Sequence, residues 1–65
     1  MNEVMTFTAH EKLRAVRREI GWRKRVYPNR IESGRMDKKQ ADYEIAIMQA
    51  IEQDYEVASQ KERLL

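Results

Sequence analysis

The chain has no cysteine. Disulfide staples and thiolate zinc sites are therefore excluded, and the composition fits a reducing compartment. It has one histidine, His10, with no carboxylate cluster around it, so no metal site is expected. Proline occurs once, at Pro28, and glycine only at Gly21 and Gly34. Few positions can interrupt a helix. No apolar run approaches the ~20 residues of a membrane span. Met1 to Phe7 lack the basic start and apolar core of a signal peptide. These absences predict a cytoplasmic protein with no membrane association.

What is present is a single short domain. A chain of 65 residues buries only about 60% of the surface its unfolded form exposes, so its stability is marginal. With disulfides and metals set aside, oligomerisation or a partner is the remaining source of support. Charged residues make up 37% of the chain, yet the formal net charge is only +2. The distribution is more informative than the sum. Residues 1–39 hold 11 Lys/Arg against 5 Asp/Glu, whereas residues 40–65 hold 2 against 6. The two halves carry opposite charge.

Residues 1–7 show no period and read as a flexible arm, with Phe7 placed to staple onto the first helix. Thr8-Ala9-His10-Glu11 is a capping box, so helix 1 is expected over about residues 9–33. Leu13, Val16, Ile20, Tyr27 and Ile31 fall within a stripe of about 60°, the narrow seam of a helix packed on one neighbour. Arg23 and Lys24 occupy the skipped seam positions, where long side chains can snorkel. Pro28 costs ~3 kcal/mol inside a helix. Ile31 nevertheless continues the stripe in phase, so helix 1 is expected to run through Pro28 with a kink or to restart there. Gly34 is the expected left-handed residue that ends it, with a turn at 34–36.

Asp37 and Gln40 have the spacing of a second capping box, opening helix 2 over about residues 38–62. Its apolar residues Ala41, Ile45, Ile47, Met48, Ile51, Tyr55 and Ala58 spread over about 160°. The predicted fold is all-α, an antiparallel two-helix hairpin spanning residues 8–65. One neighbour cannot cover the wide face of helix 2. A homodimer forming a four-helix bundle is therefore expected, with Ile45, Ile47, Met48, Ile51 and Tyr55 in the self-association surface; the alternative is a hairpin that docks this face into a different protein.

Ala15, Trp22 and Val26 lie almost opposite the helix 1 seam, beside a row of Arg14, Arg18 and Arg25. Trp and Arg are enriched at binding hot spots, so Arg14, Arg18, Trp22, Arg25 and Val26 are the candidate surface for a protein partner. A Trp packed against its own neighbours is the plainer alternative. The basic run Arg14, Arg17, Arg18, Arg23, Lys24, Arg25 and Arg30 could meet nucleic acid. It spreads over three sides and is interleaved with Glu11, Glu19 and Glu32, which favours a solvated, salt-bridged face. Nothing pairs with His10, and a hairpin has no water-excluding pocket, so no enzyme activity, cofactor or small-molecule substrate is expected.

Arg25-Val26-Tyr27-Pro28, followed by Ile31, Gly34, Met36, Ala41, Ile45 and Met48, resembles small helical-hairpin proteins of phages, prophages and bacteria, over roughly residues 11–55. The resemblance implies a small protein of the host cytoplasm with no catalytic or cofactor residues. It implies action by occupying a site on a host protein, as an inhibitor does, or a place in a phage assembly.

Overall fold

A computed structural model describes residues 5–64. Two helices make up the fold, α1 over Ala9–Glu32 and α2 over Lys38–Leu64. They pack on each other as a hairpin, with no strand among the described residues. Met5 to Thr8 precede α1 without regular structure, and the rest of the expected N-terminal arm lies outside the described residues.

The first turn of α1 has all its free amides satisfied. Glu11 N–H donates to Thr8 Oγ1 at 3.0 Å, and Thr8 N–H donates to Glu11 Oε1 at 3.1 Å, completing the capping box. The other two amides are taken by α2. Ala9 N–H donates to Glu62 Oε2 at 2.7 Å and His10 N–H to Glu62 Oε1 at 3.3 Å. A carboxylate there also meets the positive end of the helix dipole.

α1 passes through Pro28 without a break. The missing N–H leaves the Lys24 carbonyl without its helical partner. Pro28 and Lys24 are both exposed, so water can take that place, and Tyr27 and Ile31 keep the helix on α2. The helix stops in a Schellman turn. Gly34, at φ +78°, reverses the backbone. Arg35 N–H donates to the Arg30 carbonyl at 2.8 Å and Gly34 N–H to the Ile31 carbonyl at 3.1 Å.

α2 begins differently from the expectation. Among the described residues neither Asp37 nor Gln40 makes a side-chain hydrogen bond, and the capping box does not form. The Asp37 carbonyl accepts from Ala41 N–H at 2.9 Å, and Lys38 Nζ meets Asp42 at 2.9 Å. The backbone and one exposed ion pair start the helix there.

The packing seam is asymmetric. α1 buries Leu13, Ile20 and Tyr27, each seven residues from the next. α2 buries Ala41 and Ser59, which are small and lie five helical turns apart on one line. Between these two, Ile45, Met48 and Tyr55 are half-buried. Among the described residues no large side chain is fully buried, because a hairpin only 15 Å thick covers its seam from one direction.

Candidate functional site

The edges of the seam are laced by charge. On one side Arg17 Nε meets Glu52 at 3.1 Å and its Nη2 meets Glu56 at 2.9 Å. On the other, Arg23 Nη1 donates to the Glu44 carbonyl at 2.9 Å, and its Nε meets Glu19 at 3.0 Å. Arg23 thus fills its seam position as expected, half-buried, whereas Lys24 stays in solvent. Lys12 Nζ sits 5.6 Å above the Tyr55 ring. The basic half of the chain therefore pairs with the acidic half across the hairpin. These partly exposed pairs add about 0–1 kcal/mol each and mainly fix the register.

The Glu19 hydrogen bond raises the Arg23 guanidinium above its ordinary range, and the Asp42 hydrogen bond does the same for Lys38. Both are bases with raised values. Their contribution is complete below the unfolded value and is lost only in strongly alkaline solution, so neither makes stability vary around neutral pH.

With the ladder spoken for, two outer surfaces remain. On α2, Ala41, Ile45, Met48, Glu52, Tyr55 and Ser59 advance by alternating steps of four and three and face α1. Ile45, Met48, Ile51 and Tyr55, four of the five residues expected to self-associate, are half-buried on or beside this inner seam. Only Ile47 of that set faces away. It belongs to a second series, Tyr43, Ile47, Ala50, Asp54, Val57, Lys61 and Leu64, with the same alternating step on the opposite side of the helix. Tyr43 is 62% exposed, Ile47 42%, Val57 48% and Leu64 85%. The apolar surface of α2 is two seams, one filled and one open. The sequence carries this second series as a heptad of its own, of which only Ile47 falls in the broad face read from hydrophobicity.

On α1, Trp22 is 39% exposed, and the Arg30 guanidinium lies 5.3 Å over its ring. Val26 is half-buried, and Arg25 and Val26 border a depression that also takes in Asn29, Arg30, Ser33 and Arg35. Arg18 borders a separate depression with Phe7, Glu11, Lys12 and Ala15, and Arg14 borders neither. The five residues expected to meet a partner thus share one side of α1 but not one concavity. Sequence spacing puts Arg30 in the basic run on another side of α1 and misses Arg35, because the turn that folds Arg35 back beside Arg30 interrupts helical periodicity. Among the described residues there is no His/Cys/Asp/Glu group able to hold a metal, and no helix is long and apolar enough to cross a membrane. Comparison with protein-family models, with curated proteins and with solved structures finds no match for this chain.

Proposed function

We propose that the chain is a non-enzymatic interaction protein of the kind phages encode, working as a homodimer. Two hairpins join through the outer seam of α2 into a four-helix bundle, and the outer side of α1 around Trp22, Arg25 and Val26 is left for a protein partner. The observation that supports this is the second heptad of α2, apolar at Tyr43, Ile47, Ala50, Val57 and Leu64, on the solvent side of a helix whose other face is occupied. An exposed row of this kind commonly marks an interface.

The two charged members of the seam select the orientation. A parallel pairing sets Asp54 against its own copy. An antiparallel pairing can set Ile47 against the second copy's Leu64 and Ala50 against its Lys61. Lys61 then lies about one turn from the opposing Asp54, within reach of its flexible stem. In the same proposal α1 bends at Pro28, where a helical hydrogen bond is missing, which keeps Tyr27 and Ile31 against α2.

Sedimentation velocity on the chain and on Ile47→Asp and Val57→Asp tests the dimer. The expected result is a dimer at micromolar concentration. Each variant should sediment as a monomer of unchanged helical content, with dissociation at least ~100-fold easier, which is about 2.7 kcal/mol. A wild-type chain that stays monomeric at ~100 μM removes the bundle.

A further inference from the structure

We infer that the turn end of α1 is a binding site for a phosphate monoester, held by Arg25, Arg30 and Arg35. These three arginines border one depression of about 540 Å³ together with Val26, Asn29 and Ser33. The sequence places them on different sides of a helix. The Schellman turn brings them together, because Arg35 N–H is bonded to the Arg30 carbonyl and the chain folds back over the helix end.

Charge is uncommitted here. Arg17 and Arg23 each have carboxylate partners, but among the described residues no carboxylate lies within 4.0 Å of Arg25, Arg30 or Arg35. Arg30 is also ordered in advance by the Trp22 ring beneath it at 5.3 Å. An anchored guanidinium loses less freedom when it takes a ligand. A helix C-terminus ordinarily repels an anion. At this one the Arg30 and Ile31 carbonyls already accept from Arg35, Met36 and Gly34, which reduces the exposed negative end.

The arrangement fits one dianion. A phosphate monoester carries about −1.5 to −2 charges and three acceptor oxygens. Three guanidiniums more than offset that charge and match the number of oxygens, and each can bind in a forked, two-hydrogen-bond manner. The Asn29 amide supplies a neutral donor at the rim. A nucleic-acid duplex presents instead an extended line of charge, one per ~1.7 Å of axis. Three groups converging on one concavity do not follow such a line.

The test is a titration followed by ¹H–¹⁵N NMR of the arginine Nε–H and Trp22 indole signals, at constant ionic strength. The titrants are inorganic phosphate, O-phosphoserine, adenosine monophosphate and a short DNA duplex. The expected result is saturable shifts confined to Arg25, Arg30, Arg35 and Trp22. Arg30→Gln and Arg35→Gln should each weaken binding at least 10-fold, whereas Lys24→Gln, on another side of α1, should not; circular dichroism verifies that all three fold. Equal binding of phosphoserine and the nucleotide assigns the site to the phosphate group alone. Tighter binding of the nucleotide assigns it to nucleotides, with the Trp22 ring adding a stacking surface. Shifts that never saturate and spread over every exposed arginine overturn the inference. So does binding to duplex DNA alone with equal losses in all three variants.

Discussion

α1 and α2 have the same single neighbour, yet they use it in opposite ways. α1 contributes three large buried side chains, Leu13, Ile20 and Tyr27, and turns a basic side to solvent. α2 contributes two small ones, Ala41 and Ser59, and turns an apolar heptad to solvent. The seam therefore joins unequal partners: on α2 only the small residues are closed off fully, and Ile45, Met48 and Tyr55 between them are half-buried. The difference also shows that a wide apolar arc need not be one face. On α2 it is two narrow ones, of which the hairpin occupies one.

The sharpest way to break this comparison is to truncate an isoleucine on each side of it. Ile20→Ala opens a cavity in the seam and should cost about 2–4 kcal/mol, enough to unfold a domain of this size. Ile47→Ala, measured at a dilution where the chain is monomeric, should cost less than about 0.5 kcal/mol. Urea unfolding followed by circular dichroism separates the two. Equal losses would mean that Ile47 is part of the hairpin core and that α2 has one broad face after all. Next in size is Glu62→Ala, which releases the Ala9 and His10 amides at the open end. A lost cap costs about 1 kcal/mol. The drop should be reproduced in the Thr8→Ala variant, which removes the local half of the same cap. Smallest is Arg17→Ala. It removes two exposed ion pairs, so the loss should stay under about 1 kcal/mol and shrink as salt rises. A loss that does not respond to salt would show that Arg17 acts by packing its stem.

How much of this was legible depended on sequence distance. The Thr8–Glu11 box, the Gly34 stop and the α1 seam are local patterns, and each lies where its spacing placed it. At Pro28 two local effects oppose each other, and the packing of Tyr27 and Ile31 outweighs the lost hydrogen bond. The Asp37–Gln40 box had the right residues but no hydrogen bonds. On α2 hydrophobicity puts Ile47 with the inner residues and leaves out Ser59, so the inner boundary falls in the wrong place. The outer row of Tyr43, Val57 and Leu64 shows only when the heptad is followed along the helix. The Glu62 latch had no local signature at all, since its donors lie 52 and 53 residues away.

That latch is the cross-helix link with the longest span of chain to close. The cross-helix links join residues 21 apart at Arg23–Glu44, 35 apart at Arg17–Glu52 and 53 apart at Ala9–Glu62. Loop-closure entropy rises with separation, by about 0.8 kcal/mol from the shortest of these to the longest. Closure from the turn outward, like a clasp pressed shut from its hinge, is the expected order. Hydrogen exchange checks it: the Ala9 and His10 amides should be the least protected of those that join the two helices.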